Sequence, residues 1–249
     1  MKLKHAAILA TGLIIVIGII MIIPLFLRQS HQSLPKPQVM LSFNISEDAD
    51  AVEWSQDLSA ILKSYDLGAS VFIMGKVAEQ YPQCLTVFSE KVDIGSQTYN
   101  NVNLTEISDY SLKLQEIQQG KQAVDQAGNI VSKLFRAPFM VTDQDIYSLL
   151  SRSEILADFS YPEQYNVYVQ GHFIKYEAAV YKYSQNSVDL VSKIQDTTRP
   201  QLVIFDNCDS ITEIKNFLAS LNMQKIDIIN ASDLTGQVLT VRGDPNGDR

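Results

Sequence analysis

Residues 39–74 decide the fold, and they read VMLSFNISEDADAVEWSQDLSAILKSYDLGASVFIM. An apolar run, Val39–Phe43, has the composition of a β-strand and is followed by an amphipathic segment, Glu53–Tyr65, with helical spacing of its apolar side chains. Asp66–Gly68 ends this helix, and Ala69–Met74 is a second apolar run. A helix between two strands allows the strands to lie side by side in parallel, so the stretch predicts the start of a parallel sheet.

The same alternation of strands and helices continues along the chain. Further helices are predicted at Val77–Lys91, Ile107–Asp125, Ser187–Gln195 and Ile211–Leu221. Further strands are predicted at Val92–Gly95, Ser132–Phe135, Gln201–Phe205 and Lys225–Ile229. The expected fold class is therefore α/β, with a parallel sheet that is either open or closed into a barrel.

The N-terminal region has a different composition. Residues 6–27 form a run of about 22 residues without a charge, which as a helix is about 33 Å long against a hydrocarbon core of about 30 Å. A cleaved signal peptide has a shorter apolar region and a small-residue cleavage site, and a buried core helix carries polar residues on one face. An uncleaved single-pass transmembrane anchor is thus favoured over both alternatives.

The flanking residues suggest the orientation of this anchor. Lys2 and Lys4 precede the run and Arg28 follows it, a weak bias that places residues 1–5 in the cytoplasm and the C-terminal domain outside. Residues 28–38 contain two prolines and read as a stalk. A folded domain is expected over residues 39–235, and residues 236–249 read as a polar tail.

Charge and cysteine content limit the possible partners. The formal net charge is −8, and such an acidic surface repels phosphates, so a nucleic acid partner is excluded. The chain has two cysteines, Cys84 and Cys208. They can form a disulfide in an oxidising exterior or remain as two thiols, and sequence alone leaves both alternatives open.

Several short motifs resemble those of the polysaccharide deacetylases of the NodB homology family. They are Leu41–Ser46, Leu67–Gly75, Tyr81-Pro82, the stretch Ile94–Thr105, Phe135–Phe139 and the apolar run Leu202–Asp206. Their order and spacing match the family over roughly residues 39–235. The resemblance implies a distorted (β/α) barrel, preceded here by the N-terminal transmembrane helix.

The same resemblance implies a site whose chemical groups have been replaced. The family holds a zinc-type metal with one aspartate and two histidines, and these places fall on Ile45, Gln97 and Asn101. The general base falls on Asn44 and the general acid on Phe205, while Arg136 and Asp206 keep the family's residue types. Carboxamides are poor zinc ligands, isoleucine is none, and neither Asn nor Phe transfers protons near neutral pH. No metal or other cofactor is therefore expected.

These replacements favour a protein that binds rather than catalyses. The expected groove consists of Asn44, Gln97, Asn101, Arg136 and Asp206 at the carboxyl ends of the strands. Its expected partner is a cell-surface glycan or an envelope protein. Six tyrosines between Tyr161 and Tyr183 are candidates for its rim, although ordinary cross-strand packing is the favoured explanation of their pattern.

Two other functions stay open. One is a divergent carbohydrate hydrolase that cleaves C–N bonds in N-acetyl amino sugars, so catalysis is an open question. The other is a structural role that needs only the folded surface. Bound zinc in the purified protein would distinguish an enzyme from a binding protein.

Overall fold

The computed structural model describes residues 36–46, 50–160, 166–169, 172–175, 179–186, 189–195, 200–221 and 225–243. The predicted cytoplasmic segment 1–5, the anchor 6–27 and stalk residues 28–35 lie outside these ranges. Among the helices of the described ranges, none has both the length and the apolar character needed to cross a bilayer.

The strands of the described part of the chain mostly fall where apolar runs occur. In order they are β1 Gln38–Ile45, β2 Ala69–Ile73, β3 Val92–Ser96, β4 Ile130–Ser132, β5 Leu134–Phe135, β6 Ala157–Asp158, β7 Asn166–Val169, β8 His172–Lys175, β9 Ala179–Lys182, β10 Gln201–Asp206, β11 Asp227–Ile229 and β12 Thr240–Arg242.

The helices of the same ranges connect these strands. They are α1 Ala51–Ser64, α2 Gly75–Gln80, α3 Gln83–Thr86, α4 Tyr110–Gly128, α5 Gln144–Arg152, α6 Tyr183–Asn186, α7 Leu190–Gln195, α8 Ile211–Ser220 and α9 Ala231–Thr235. Short 3-10 turns occur at Leu104–Glu106 and Pro138–Met140.

The main sheet is parallel throughout and forms an α/β half-barrel. Its strands pair in the order β6-β5-β3-β2-β1-β10-β9. The central strand β1 pairs along one edge with β10, and its other edge is shared between β11 at its start and β2 at its end. This arrangement confirms the predicted α/β class and the parallel sheet.

Alternate side chains of the central strands enter two different cores. Phe43 and Phe205 point to the helix-covered face, where they pack among side chains from α1, α7 and α8. Met40, Phe72 and Leu202 point to the other face, which we call the inner face. A third cluster lies where α4 and α5 cover β5. Inward-pointing side chains at the carboxyl ends of the strands therefore lie together at one end of the inner face.

Several elements differ from the predicted ones. The predicted helix Val77–Lys91 is two short helices, α2 and α3, because Pro82 between them cannot continue the backbone hydrogen bonding. The predicted helix from Ile107 starts at Tyr110, where the Asp109 side chain accepts a hydrogen bond from the Ser111 N–H.

The C-terminal region is more ordered than a polar tail. Within the predicted tail 236–249, Leu239 is fully buried and β12 pairs antiparallel with β4. The Arg242 guanidinium donates hydrogen bonds to the carbonyls of Ser89 and Val92, at 2.7 and 3.0 Å. The folded domain thus extends past residue 235 to include this strand.

The two cysteines are not joined by a disulfide. Cys84 is buried in the helix-covered core, and its burial raises the pKa of the thiol. Cys208 is exposed in the turn after β10.

Candidate functional site

A polar cavity lies at the carboxyl ends of the parallel strands. Its volume is about 240 Å³, and its walls come from the ends of β1, β9 and β10 and from the loops after β3 and β5. The residues that line it are Asn44, Ser46, Gln97, Asn101, Arg136, Ala137, Pro138, Phe139, Met140, Lys182, Asp206, Asn207 and Cys208. Ligand sites of α/β sheets occur at this end because loops from several strands meet there.

The Asn44 carboxamide is the centre of the hydrogen bonding in this cavity. Its Nδ2 donates to Asp206 Oδ1 at 2.9 Å, and its Oδ1 accepts from Arg136 Nη1 at 2.9 Å. Gln97 Nε2 also donates to Asn44 Oδ1, at 3.4 Å. A neutral amide therefore bridges a guanidinium and a carboxylate that come from opposite halves of the sheet.

Arg136 is held rigidly by strand neighbours. Its Nε donates to the Phe159 carbonyl at 3.1 Å, and its guanidinium carbon lies 3.9 Å from the centre of the Phe72 ring. The backbone N–H of Arg136 donates to the Ser96 carbonyl at 3.0 Å. Only 1% of this residue is exposed, so its main effect is to fix Asn44.

A buried carboxyl, Asp158, lies behind Arg136 and was not singled out from the sequence. Its Oδ1 accepts hydrogen bonds from the N–H and hydroxyl of Ser160, and the Ser160 hydroxyl oxygen accepts from the Ala137 N–H. Burial raises the pKa of Asp158 to about 7, against the opposing effects of the Ser160 hydrogen bonds and the Arg136 charge. The sequence signal for this group was an acidic residue within the otherwise apolar run 155–159.

The turn after β10 fixes the opposite wall of the cavity. The backbone N–H of Asp206 donates to Asp209 Oδ2 at 2.8 Å, and the Trp54 indole donates to the Asp209 carbonyl at 3.1 Å. Asn207 Oδ1 accepts from the Ser46 N–H at 3.4 Å. Burial raises the pKa of the Asp209 carboxyl. These bonds join the ends of β1 and β10, so Asp206 faces the cavity.

The structure brings five predicted groove residues to one cavity and leaves two family positions outside it. Asn44, Gln97, Asn101, Arg136 and Asp206 all line the cavity. Ile45 is fully buried in the helix-covered core. Phe205 stacks on Phe43 with ring centres 5.0 Å apart, so the position that the family gives to the acid faces away from the site.

The predicted tyrosine rim is only partly within the described residues. Tyr183 packs on Phe205 in the helix-covered core, with ring centres 4.9 Å apart, and does not line the cavity. Tyr181 packs against the same core. The side chains of Tyr161, Tyr165, Tyr168 and Tyr176 lie outside the described parts. The neighbouring Lys182, which was not predicted, does line the cavity.

The residues at the family's metal positions do not fit a zinc ion. Gln97 and Asn101 present neutral carboxamides, and Ile45 presents no ligand atom and faces the core. The carboxylate of Asp206 already accepts from Asn44. Among the described residues, no group of three or more His, Cys, Asp or Glu side chains is arranged to hold a metal.

A strained aromatic residue lies at the mouth of the cavity. Phe139 and the next residue, Met140, have φ angles of 60° and 61°, although neither is a glycine. A non-glycine residue in this region costs on the order of 1–3 kcal/mol. The Phe139 side chain is 66% exposed. It also lines a second cavity of about 410 Å³, whose other residues are Asn101, Val102, Asn103, Glu106 and Ile107.

Comparison with known protein families gives one match. The family model for polysaccharide deacetylase matches residues 31–156, about half of the chain. No curated protein sequence matches the chain.

Solved structures share the fold at low sequence identity. A putative polysaccharide deacetylase from Mycobacterium smegmatis is 14% identical with a TM-score of 0.66, covering 85% of this chain and 95% of its own. A family 4 carbohydrate esterase from Streptomyces lividans, in complex with acetate, is 18% identical with a TM-score of 0.61, covering 84% and 98%. A CE4 family pseudoenzyme from Bacillus anthracis is 11% identical with a TM-score of 0.59, covering 81% and 66%.

Proposed function

Because the chain belongs to the polysaccharide deacetylase family but carries no suitable metal ligands at the family's positions, we propose that it is a non-catalytic member that binds a cell-surface glycan. In this proposal, residues 6–27 anchor the protein in a membrane and the folded domain lies outside the cytoplasm. The observation that carries the proposal is the Asn44 carboxamide at the centre of the cavity, bonded to both Arg136 and Asp206.

The cavity has the groups that a neutral sugar needs. Gln97 is 3% exposed, and its Oε1 has no hydrogen-bond partner among the described residues. A buried acceptor without a partner costs about 1–3 kcal/mol, which a hydroxyl or acetamido N–H of a ligand would offset. Asn101 and Lys182 add donors at the wall. Sugars recognised by such a site are uncharged and rich in hydroxyl groups.

The same residues account for the proposed loss of catalysis. A metal-dependent deacetylase needs a metal-bound water whose pKa falls to about 7, together with a base that accepts its proton. Asn44 has no basic site near neutral pH, and Phe205 is in the core. A solved pseudoenzyme of the CE4 family shares this fold, and a mutant of it is described as having restored enzymatic activity, so fold and catalysis are separable in such proteins.

A titration and an acetate assay on the full-length protein test the proposal. We expect tetra-N-acetylchitotetraose to bind, and the Asp206→Ala variant to bind it at least tenfold more weakly. Asp227→Ala is the matched control, since Asp227 lies on β11 at the amino end of β1, away from the cavity. We expect no release of acetate with or without added zinc.

Three other outcomes would contradict the proposal. Acetate release that a chelator abolishes would establish the divergent hydrolase instead. Absence of binding by the folded protein would favour an envelope protein as the partner. Equal affinity of the two aspartate variants would place the glycan elsewhere on the surface.

The proposed anchor has a separate test. Residues 6–27 contain no charge, and Leu, Ile, Val and Phe each contribute about −0.3 to −0.6 kcal/mol to insertion at the centre of a helix. We expect the protein to fractionate with membranes and its mature N-terminus to precede residue 6. A mature N-terminus near residue 29 would show a cleaved signal peptide and overturn the anchor.

A further inference from the structure

We propose that Cys208 is a thiol–disulfide exchange site, at which a small disulfide with amino-acid zwitterions as its halves leaves one half bound covalently in the cavity. The proposal starts from the exposed thiol of Cys208, which lies in the turn after β10 and lines the cavity. It is independent of glycan binding. It relies on the proposed topology only for the supply of disulfides, which persist outside the cytoplasm and are rare within it.

The reaction at Cys208 conserves atoms and electrons. The thiol gives its proton to water, and the resulting thiolate attacks one sulfur of the small disulfide. A new S–S bond forms between Cys208 Sγ and that sulfur, while the original S–S bond breaks. The other half leaves as a thiolate and takes up a proton. The small disulfide is therefore the oxidant, and one small thiol is released.

The two cysteines of the chain differ in their access to such a reagent. Cys84 is fully buried in the helix-covered core, and burial raises the pKa of its thiol, which lowers the fraction present as thiolate. Cys208 is exposed. A disulfide in solution therefore reaches Cys208 and not Cys84 while the protein is folded.

A buried acceptor in the same cavity indicates that a ligand binds there. Gln97 lines the cavity and is only 3% exposed, and its Oε1 lacks a hydrogen-bond partner within the described ranges. The amide is already oriented, because Nε2 donates to Asn44 Oδ1 at 3.4 Å. A buried acceptor without a partner is unfavourable. An ammonium group on the bound half would supply the missing donor.

The charges and the size of the cavity favour a small zwitterion. Lys182 and Asp206 line the wall with opposite charges. The Lys182 ammonium has three donors for a carboxylate, and the Asp206 carboxylate can accept from an ammonium group as well as from Asn44. The cavity volume of about 240 Å³ is below the range of about 300–1,000 Å³ typical of ligand sites. Half of an amino-acid disulfide therefore suits the cavity better than a larger molecule.

The test compares two disulfides on the full-length protein in detergent. The probes are cystine, which has an ammonium and a carboxylate on each half, and the disulfide of mercaptoethanol, which is uncharged. Peptide mass spectrometry follows the adduct on Cys208 with time, and the same chain unfolded in urea gives the intrinsic ratio of the two rates. We expect folding to raise the rate with cystine, relative to the uncharged disulfide, by at least about tenfold, the effect of one charge-assisted hydrogen bond.

Substitutions in the cavity wall should remove this preference for cystine. Lys182→Ala and Asp206→Ala each delete one charge, and we expect the ratio of rates to fall toward its value in urea. Lys215→Ala and Asp227→Ala are the matched controls and should keep the wild-type ratio. Lys215 is exposed on α8, Asp227 lies on β11 at the amino end of β1, and neither lines the cavity.

Two outcomes would overturn the proposal. An equal ratio of rates in the folded and the unfolded chain would make Cys208 an ordinary exposed thiol, and so would a ratio that the wall variants leave unchanged. Absence of an adduct on the folded protein would exclude the reaction itself. An adduct on the buried Cys84 would reveal a variant that unfolds, and Lys182→Gln or Asp206→Asn, which keep the size of the side chain, then take its place.

Discussion

The Asn44 carboxamide forms hydrogen bonds with the two charged side chains of the cavity. A buried guanidinium needs a counter-charge or hydrogen-bond acceptors, because the free energy of leaving it uncompensated is several kcal/mol. Asn44 Oδ1 supplies an acceptor to Arg136, and Asn44 Nδ2 supplies a donor to Asp206. The carboxamide thus gives each of the two charged groups one hydrogen-bond partner across the cavity.

This arrangement predicts unequal losses of stability for acidic substitutions at two adjacent positions. Ile45→Asp places a carboxylate in the helix-covered core, and we expect a loss of at least about 3–5 kcal/mol in the free energy of unfolding. Asn44→Asp places one carboxylate oxygen 2.9 Å from Arg136 Nη1 and the other 2.9 Å from Asp206 Oδ1, so attraction offsets repulsion and we expect a smaller loss than at residue 45. Urea unfolding monitored by circular dichroism measures both. Equal stability of the two variants would show that residue 45 does not face the core.

The same pair of positions shows what the sequence predicted about the site. The motifs identified five cavity-lining residues, because each of these residues lies at or just after the carboxyl end of a strand and the carboxyl ends of parallel strands meet. Orientation was beyond a motif comparison, since successive side chains of a strand point to opposite faces. Phe205 and Asp206 are adjacent on β10, yet only Asp206 reaches the cavity. Asp158 was missed because no motif marked it.

Among the elements, long periodic segments were predictable and short ones were not. α1 and β2 agree with their predictions within a few residues, because α1 has helical spacing of its apolar side chains and β2 is a continuous apolar run. β5 and β6 have two residues each, too few for a period, and tertiary pairing alone creates them. The Val77–Lys91 prediction failed at Pro82 because helical spacing was given more weight than the missing backbone donor.

The helix α4 contains a glycine whose replacement should disturb the site. A Cβ at Gly120 would lie 2.3 Å from the Gln97 carbonyl oxygen and 2.9 Å from the Thr98 carbonyl carbon. Gly to Ala in a helix interior normally stabilises by about 1 kcal/mol, but overpacking costs about 1–3 kcal/mol. Because the opposing atoms are backbone, we expect Gly120→Ala to destabilise the protein, as measured by its urea midpoint.

A glycine in the same helix provides the control for that prediction. A Cβ at Gly128 would meet only the Ile130 side chain, at 3.3 Å, and that side chain can move. Gly128→Ala should therefore change the urea midpoint much less than Gly120→Ala. A stabilising effect of both substitutions would show that α4 is not in close contact with the loop that carries Gln97.

The stability of the folded domain should depend on pH through Asp158. Its pKa is raised from 3.8 to about 7 by burial, so between these values the folded state holds a proton that the unfolded state releases. The contribution of Asp158 to the free energy of unfolding is fully present below pH 3.8 and is lost as the pH rises to about 7. The slope is up to about 1.4 kcal/mol per pH unit.

The variant Asp158→Asn isolates this effect. Burial also raises the pKa of Asp93, so the wild type alone mixes at least two contributions of the same sign. We expect the free energy of unfolding of the wild type, relative to the variant, to decrease between about pH 4 and pH 7. Urea unfolding at several pH values measures the difference. Parallel profiles would show that Asp158 has an ordinary pKa in the folded protein.

The pairing of β1 along its two edges determines the order in which parts of the chain can fold. One edge pairs with β10, where Asn44 lies opposite Asp206, and the other pairs in part with β11 up to Ile229. Contacts between residues so distant in sequence have a high entropic cost of loop closure, so they form late. During synthesis the edge of β1 that pairs with β10, and the part that pairs with β11, therefore stay unpaired until those strands have left the ribosome. Exposed strand edges promote aggregation, so we expect nascent chains of this protein to be most prone to aggregation before β10 and β11 pair with β1.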